Sequence, residues 1–428
     1  MSDRHFDVLV IGAGLAGAVA ARDLALTGRR IIVLEASRRI GGRTYSRPFE
    51  GNGPAIDLGG EWVAPVQHDA TVAEIRRYGL HLVEPADGPV RWHLCGSLFD
   101  QPEPPVDAEQ LRRVLRQLEH DASELLAAKT AEAATRFDEP WSDYVARLDL
   151  DPMLVDLLHA CAYMLMGAAP NEHSALAILT EVAQFGSAES ALMGDVQRIA
   201  EGADALAKAL LAASGVPVHF LKRVTQVAQD QDTVTALTAD GKSFSAVAAV
   251  VTVPLAVLHR IDFSPAPTEP IQRLIAAGHA GRAFKAWSWV QGATAATFCL
   301  GTTDVRISSG RQLSERGELR TTWGLAPWPG SPVAVQQGLQ NYFPDVRVDG
   351  VDTHDWVSDP DFGATWLAPR PSTHRWLVEA MRPFGRVMLA GSDVARRWSG
   401  WMEGALLAGR EAAQWATAVN GEHANRKE

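Results

Sequence analysis

The chain has 428 residues, of which 46% are hydrophobic and 21% are charged, the balance of a globular protein with room for two domains. Its formal charge of −11 argues against nucleic acid or an anionic membrane surface as a partner. The three cysteines are isolated, and no CxxC or HExxH pattern or run of about twenty apolar residues occurs. We therefore predict a cytoplasmic protein without a disulfide framework, a metal site, a signal peptide or a membrane anchor.

The N-terminal stretch has the pattern of a strand, a glycine turn, a helix, a second strand and an acid. Residues 7–11 (DVLVI) form an apolar run, and residues 12–17 (GAGLAG) match G-x-G-x-x-G at the entry to a helical stretch. A second apolar run, residues 31–34, ends at Glu35. This order predicts a dinucleotide-binding unit.

Each residue of this pattern has a physical role in holding a dinucleotide. Gly12 allows the tight turn, Gly14 lets a pyrophosphate approach the backbone, and Gly17 lets the helix pack closely on the strand. The helix N-terminus offers unpaired N–H groups to the phosphates. Glu35 can accept a hydrogen bond from a ribose hydroxyl.

The sequence after Glu35 distinguishes FAD from NAD. Residues 40–43 (IGGR) and 57–62 (DLGGEW) resemble the extended N-terminal signature of flavoproteins with a two-dinucleotide-binding-domain architecture. An NAD dehydrogenase would more often continue into further βαβ units. We therefore predict FAD as the cofactor.

Beyond Trp62 the pieces of two domains alternate. Residues 69–78 and several stretches between 106 and 185 have helical periodicity, and residues 216–227, 233–238 and 246–253 are strand candidates. We predict an α/β fold with a Rossmann-like FAD domain and a mixed α+β substrate domain, both discontinuous in sequence. The predicted segments are 1–76, 196–280 and 376–428 for the FAD-binding domain, and 77–195 and 281–375 for the substrate-binding domain with its helical insertion.

The C-terminal stretch carries a second signature. Residues 385–393 (GRVMLAGSD) have the pattern of a strand ending on an acid, and residues 398–405 (WSGWMEGA) precede a helix. This order resembles the flavin-containing amine oxidase family, the monoamine and polyamine oxidase group, with Trp401 where an aromatic residue, often tyrosine, is usual. A helix N-terminus at Met402 would stabilise the negative charge of a reduced flavin.

Lys285 is the predicted catalytic residue. Strand alternation in residues 284–290 (FKAWSWV) places Lys285, Trp287 and Trp289 on one face. The resemblance implies that this lysine is bonded through water to flavin N5. Ten of the thirteen tryptophans follow Phe284, which favours an aromatic-lined pocket.

The resemblance also implies the remaining site residues. Covalent members of the family have a cysteine at the turn that matches residues 356–369; this chain has none there, which implies non-covalent FAD. The substrate is expected to contact Trp401, Trp366, Trp287, Phe362 and Glu61, with either Phe362 or Trp366 as the aromatic residue opposite Trp401. The predicted cofactor-binding residues are Gly12, Gly14, Leu15, Ala16, Gly17, Glu35, Ala36, Arg38, Gly42, Arg43, Gly59, Gly60, Glu61, Trp62, Val224, Gly391, Ser392, Asp393, Gly400, Trp401, Met402 and Ala405.

The predicted reaction is oxidation of a small organic amine. A hydride passes from the α-carbon to flavin N5, the imine hydrolyses to an aldehyde or ketone, and the electrons pass to O2, giving peroxide, or to an electron-acceptor protein. An L-amino acid oxidase is an alternative, for which Arg370 or Arg397 could bind the substrate carboxylate. A desaturase of a non-amine, or a flavin-binding scaffold without catalysis, are further alternatives, and a homodimer is left open.

Overall fold

The computed structural model of the chain describes residues 6–85, 88–127, 134–194, 196–327 and 331–427. The strands are β1 Phe6–Ile11, β2 Ile31–Leu34, β3 Ser46–Pro48, β4 Ala55–Asp57, β5 Leu82–Val83, β6 Val90–Leu94, β7 Ser97–Asp100, β8 Arg198–Ile199, β9 Val218–His219, β10 Val224–Gln229, β11 Val234–Thr238, β12 Ser243–Val251, β13 Asp262–Ser264, β14 Ala283–Gln291, β15 Phe298–Gly301, β16 Ile307–Ser314, β17 Gly317–Leu325, β18 Arg347–Thr353 and β19 Val387–Leu389. The α-helices are Leu15–Ala25, Asp69–Arg77, Ala108–Ala127, Trp141–Ala146, Pro152–Met166, Ala175–Phe185, Ala188–Met193, Asp204–Ser214, Glu269–Ala277, Pro332–Gln340, His374–Leu377 and Met402–Lys427.

The first large sheet has eight strands in the order β13-β10-β11-β12-β1-β2-β9, with β19 paired to β12. At its centre β1 lies parallel to β2 on one side and to β12 on the other. The strand β12 pairs with β11 along residues 243–246 and with β19 along residues 249–251. Val8, Leu9 and Val10 are fully buried, as expected for a parallel strand whose two faces are both covered.

Helices close this sheet. The helix Leu15–Ala25 begins directly after the glycine turn and packs against the helices Asp204–Ser214 and Met402–Lys427. The last of these also contacts β12. The chain end is thereby brought back to the first strand–turn–helix unit.

One predicted strand is wrong in extent. Residues 216–227 form two strands, β9 and β10, which pair with different neighbours. Between them Leu221 has a φ of 58° and its N–H donates to the Ser37 carbonyl, while the Lys222 N–H donates to the Glu35 carbonyl. The apolar run is interrupted because the chain turns here to close over the residues that follow β2.

The second large sheet has seven strands in the order β18-β14-β17-β16-β15-β6-β7. Its neighbours are antiparallel, except that β15 and β6 are parallel. The helices predicted between 106 and 185 are present, and two of them begin at side-chain caps, where Asp151 accepts from the Met153 N–H and Ser174 from the Leu176 N–H. None of the helices within the described ranges has the length and apolar character needed to cross a membrane.

The two sheets draw on alternating parts of the chain. Strands of the first come from residues 6–34, 218–264 and 387–389, and strands of the second from residues 90–100 and 283–353. All of them fall inside the segments assigned above to the respective domains. The domain boundaries themselves stay a prediction.

Candidate active site

A large cavity lies at the C-terminal ends of β1 and β2, bounded by the 391–405 segment and by residues of the second sheet. Lys285 lines it. So do most of the other predicted site residues, namely Gly12, Gly14, Leu15, Ala16, Glu35, Ala36, Gly42, Arg43, Gly59, Gly60, Glu61, Trp62, Val224, Phe362, Trp366, Gly391, Ser392, Gly400, Trp401, Met402 and Ala405. Residues far apart in sequence are therefore brought together around one space.

The glycine turn after β1 has no room for side chains. Gly12 has a φ of 110°, and a Cβ on it would lie 2.4 Å from Thr252 Oγ1. A Cβ on Gly17 would lie 2.0 Å from the Gly12 carbonyl oxygen, so this glycine lets the helix pack on the turn. Gly14 and Gly42 meet through bare backbone, since a Cβ on Gly42 would lie 3.0 Å from the Gly14 Cα. Gly14 and Gly42 both line the cavity.

Glu35 is fixed at the end of β2 by two backbone donors. The Ala13 N–H donates to one carboxylate oxygen at 2.8 Å, and the Ser37 N–H donates to the other at 2.8 Å. These bonds hold the carboxylate beside the glycine turn. It lies where the motif predicts the acceptor for a ribose hydroxyl.

Arg43 and Asp393 join the two signature segments. The guanidinium of Arg43 donates to the Thr365 carbonyl at 2.6 Å and to Asp393 at 2.6 Å. Burial alone would raise the pKa of Asp393, but the Arg43 cation and the Leu255 N–H, which donates to it at 3.0 Å, hold that pKa below its usual value. Asp393 is therefore an anion that orients Arg43 at the cavity wall.

Lys285 also lines the cavity and is almost fully buried. Its Nζ donates to the Gly59 carbonyl at 3.0 Å and lies 3.1 Å from Glu61 Oε1. The same carboxylate oxygen accepts from Arg311 at 2.7 Å. Burial lowers the pKa of Lys285, while the negative charges of Glu61 and Asp57 oppose that effect.

Five tryptophans line the cavity, and four of them, Trp62, Trp323, Trp366 and Trp401, form the aromatic wall. Trp62 stacks on Trp323 with ring centroids 4.6 Å apart, and Trp323 meets Trp366 edge to face at 5.9 Å. Trp366 is held by its Nε1, which donates to the Leu165 carbonyl at 2.7 Å. Trp401 is the fourth member of this wall, and Trp356 lines the cavity in a separate cluster with Phe362.

Trp401 is positioned from behind by buried polar groups. Its Nε1 donates at 3.0 Å to Glu181, whose pKa is raised to about 8 by burial. The imidazole of His68 lies edge-on to the Trp401 ring at 4.9 Å, and burial lowers the pKa of His68 to about 3. Burial thus favours the uncharged form of both side chains that contact Trp401.

Four predicted site residues lie outside the lining of this cavity. Gly17 packs against the Gly12 carbonyl, and Asp393 accepts from Arg43, so both contact residues of the lining without lining it themselves. Arg38 is exposed, and its contact with the cofactor stays a prediction. Trp287 is placed wrongly, because it is buried in a cluster with Phe49 and its Nε1 donates to the Asp57 carbonyl.

The contacts of Phe362 and Trp366 favour Trp366 as the aromatic residue opposite Trp401, which stays a prediction. Phe362 packs edge-on against Trp356 at 4.8 Å and lies under the guanidinium of Arg39. Trp366 instead contacts Trp323, which lies opposite Lys285 in the β14–β17 ladder. Phe362 lines the cavity, but in a different aromatic cluster.

Several lining residues were not predicted. Trp323 lies opposite Lys285 only because of the register between β14 and β17, and Met164 and Leu165 come from the end of one helix of the insertion. The alternating strand pattern around Trp323 could have indicated from the sequence that this residue lies in a strand. Glu181 has no sequence signal beyond a single acid in an apolar helix, residues 175–185.

The cavity suits an FAD molecule. Bare backbone at Gly14 and Gly42 leaves space for a pyrophosphate beside a helix N-terminus. The Glu35 carboxylate is positioned to accept a hydrogen bond from a ribose hydroxyl. At the other end the helix Met402–Lys427 begins at the lining, where its unpaired N–H groups favour an anionic group.

Comparisons with known proteins agree. The family model described as flavin containing amine oxidoreductase matches residues 15–330 and 333–416. The (S)-6-hydroxynicotine oxidase of Paenarthrobacter nicotinovorans is 31% identical over 94% of this chain and 97% of that enzyme. The nicotine dehydrogenase of Pseudomonas putida is 29% identical over 96% of this chain and 88% of that enzyme.

Solved structures show the same fold. A putrescine oxidase bound to putrescine superposes with a TM-score of 0.84 at 18% identity, covering 97% of this chain and 99% of that one. Cyclohexylamine oxidase from Brevibacterium oxydans gives 0.83 at 22% identity, covering 98% and 99%. The predicted fold class, FAD cofactor and amine oxidoreductase activity are confirmed. The chain belongs to the family of flavin-containing amine oxidoreductases.

Proposed function

We propose that this FAD-dependent enzyme oxidises a monoamine that carries a flat, apolar ring. The observation that carries the proposal is the aromatic wall of Trp62, Trp323, Trp366 and Trp401. When bound, FAD supplies the two-electron oxidation of the carbon next to the amine nitrogen. The protein has to bind the amine, exclude water and favour its reactive protonation state.

The tryptophan wall favours a neutral amine. A free alkylamine titrates near pH 10, so deprotonation at pH 7 costs about 4 kcal/mol at about 1.4 kcal/mol per unit. Desolvation among indole rings disfavours the ammonium and lowers that cost. Cation–π attraction opposes this by about 0.5–2 kcal/mol, which is smaller. We therefore expect the amine to lose its proton as it enters.

The charges of the lining disfavour a diamine. Its three acidic side chains are already engaged: Glu61 by Lys285 and Arg311, Glu35 by two backbone N–H groups, and Asp361 by Arg223. A second ammonium group would have to compete with these partners, because the oxygen of Glu61 that accepts no hydrogen bond, Oε2, is buried beside the same two cations. A linear diamine is therefore a poor substrate.

The arginines disfavour an amino acid. Those in the lining are Arg43, Arg223 and Arg260, which bind Asp393, Asp361 and the Pro360 carbonyl respectively. Arg370 and Arg397, the candidates from the sequence, lie outside the described lining. A substrate carboxylate would therefore have no arginine to pair with at the tryptophan wall.

Lys285 is the proposed catalytic residue. It is a buried hydrogen-bond donor at the junction between the tryptophan wall and the Gly59–Gly60 turn, with Trp323 under its ammonium at 4.8 Å. Trp401, Trp366 and Glu61 are the proposed substrate contacts. Replacing Lys285 by Met should slow flavin reduction or reoxidation with FAD still bound.

FAD is held without a covalent bond in this proposal. The described lining contains no cysteine, histidine or tyrosine side chain, and the free cysteines Cys95, Cys161 and Cys299 lie elsewhere. Denaturation should therefore release the flavin into the supernatant. Flavin that stayed with the precipitated chain would contradict this.

We further propose that the electrons pass to O2 or to a protein acceptor, that the enzyme works in the cytoplasm, and that the domain boundaries are those given from the sequence. Peroxide formation measured with purified enzyme and a substrate tests the first of these directly.

The relatives guide the substrate panel. The two described above are named for nicotine and 6-hydroxynicotine, compounds that join an amine to an aromatic ring. We expect anaerobic bleaching of the flavin near 450 nm to be fastest with ring-bearing monoamines of this kind. Cyclohexylamine tests an apolar amine without a flat ring, putrescine a linear diamine, and L-phenylalanine an amino acid. Faster bleaching by putrescine or L-phenylalanine would overturn the proposed substrate class.

A further inference from the structure

Lys285 lies in a buried cluster of charged side chains to which the proposed reaction assigns no role. Glu61 is 1% exposed and Lys285 is 5% exposed, and one oxygen of the carboxylate contacts both Lys285, at 3.1 Å, and Arg311, at 2.7 Å. Glu61 precedes Trp62 in the lining, Lys285 lies on β14 and Arg311 lies on β16. Three separate segments of the chain thus bring their charges to one point.

Other charged groups face the same point. Asp57, at the end of β4, contributes a negative charge to Lys285, and Arg198, on β8, contributes a positive charge to Glu61. Asp57 is itself held by the Ala203 N–H at 2.9 Å and by Ser46 at 2.6 Å. Lys285 therefore belongs to a cluster with two carboxyl groups, Glu61 and Asp57, and two guanidinium groups, Arg311 and Arg198.

Burial makes the charge on this lysine depend on its neighbours. An ammonium removed from water favours its neutral form unless an anion is close. Glu61 is the anion in contact with Lys285, and it stays ionised against its own burial because Arg311 and Lys285 lower its pKa. Removal of either partner should change the charge of the lysine, and the two removals should act in opposite directions.

We propose that Glu61 is a positioning residue that sets the charge of Lys285, and that Arg311 balances it from the other side. The inference rests on the proposed role of Lys285 in the flavin chemistry. Lys285 is then a group that can hold or release a proton beside the reacting atoms. Glu61 favours the charged form, and Arg311 favours the neutral form by competing for the same carboxylate oxygen.

The chain is well suited to a direct measurement. It contains six lysines, so holoenzyme labelled with ¹³C at the lysine ε-carbon gives few resonances. The Lys285→Met variant assigns the resonance of Lys285 by its disappearance. Titration of that resonance in wild type, Glu61→Gln and Arg311→Met then reports the charge of Lys285 without reference to turnover.

The expected shifts have opposite signs. Glu61→Gln removes the anion and should lower the titration midpoint of Lys285 by about one pH unit or more, a tenfold change in proton affinity. Arg311→Met removes a cation and should raise it. Nonspecific disturbance of packing would not move the midpoint in opposite directions. If Glu61→Gln does not fold, an unmoved Lys285 midpoint in Arg311→Met still overturns the balance proposed for the cluster.

The pair Lys222–Asp240 supplies a control outside the ionic cluster. Its Nζ–Oδ2 distance is 2.7 Å, and Asp240→Asn removes the carboxylate partner of a lysine that has no contact with Glu61 or Arg311 among the described ion pairs. That variant should alter the Lys222 resonance and leave the Lys285 midpoint unchanged. A Lys285 midpoint that is the same in wild type, Glu61→Gln and Arg311→Met would overturn the inference.

Kinetics separate this inference from the function on which it rests. The pH midpoint of flavin reoxidation should move in the same direction as the Lys285 resonance in each variant. Unmoved resonances with a strong effect of Lys285→Met would overturn control by Glu61 and leave the proposed function intact. Resonances that shift as expected, with no kinetic effect of Lys285→Met, would support control by Glu61 and overturn the catalytic role of Lys285.

Discussion

Replacing Glu181 by Gln should make the protein more resistant to alkaline unfolding. Burial raises the pKa of Glu181 from 4.5 to about 8, so between these values the folded chain holds a proton that the unfolded chain releases. The contribution of a raised carboxyl pKa falls as the pH rises through this window, by about 1.4 kcal/mol per unit and on the order of 5 kcal/mol in all. Glutamine has no proton to lose, and its amide oxygen can still accept from Trp401.

The assay is thermal unfolding of wild type and Glu181→Gln from about pH 5 to about pH 9. The difference between the two midpoints should grow in favour of the variant as the pH rises, with flavin content and turnover near pH 7 retained. Glu74→Gln is the opposite control, because the cations Arg22 and Arg410 keep that buried carboxylate ionised despite its burial, and its loss should destabilise at neutral pH. Parallel pH profiles for wild type and Glu181→Gln would refute the reasoning.

Two further predictions concern the cofactor. Gly17→Ala would place a methyl carbon 2.0 Å from the Gly12 carbonyl oxygen and should yield protein that has lost most of its flavin. Gly28 has open space around it, so Gly28→Ala should retain the flavin. The ratio of absorbance at about 450 nm to that at about 280 nm in the purified proteins measures the flavin content. Arg43→Met leaves the buried Asp393 without its cation, so it should weaken FAD binding and lower the free energy of unfolding by on the order of 3 kcal/mol. Flavin titration and denaturant unfolding measure the two effects. An unchanged affinity for FAD would show that Arg43 is not part of the cofactor site.

The features that the sequence predicted are those fixed by local geometry. The roles of Gly12 and Gly17 follow from a turn of six residues, and the structure shows the close contacts that those roles require. The helices of the 106–185 block follow from their apolar periodicity. In each case the information lies within a few residues of the feature.

The features that it missed depend on contacts between distant segments. Arg311 meets Glu61 across 250 positions, and Trp401 meets Glu181 across 220. Strand alternation correctly predicts that Trp287 lies on the same face of β14 as Lys285. The Trp287 ring is nevertheless buried in a cluster with Phe49 and does not line the cavity. Only the register of β14 against β17 brings Trp323, rather than Trp287, into the lining.

Distant packing also links the helical insertion to the aromatic wall at Gly167. This glycine ends the helix Pro152–Met166 with a φ of 55°, and a Cβ on it would lie 2.5 Å from Cζ2 of Trp366. Gly215 ends the helix Asp204–Ser214 with a φ of 65° and has no neighbour within 4 Å. Alanine at either site incurs the same cost of a left-handed backbone, about 1–2 kcal/mol, but only at Gly167 must it displace an indole of the lining.

Comparison of the two variants therefore isolates the effect of moving Trp366. Both Gly167→Ala and Gly215→Ala should retain FAD and lower the unfolding midpoint, Gly167→Ala by more because the indole must also move. Only Gly167→Ala should change the rate of anaerobic flavin reduction by a ring-bearing amine, because its methyl group acts on a wall of the substrate pocket. Equal reduction rates in the two variants would mean that Trp366 tolerates the shift or does not touch the substrate, and the aromatic wall would then lose one of its members.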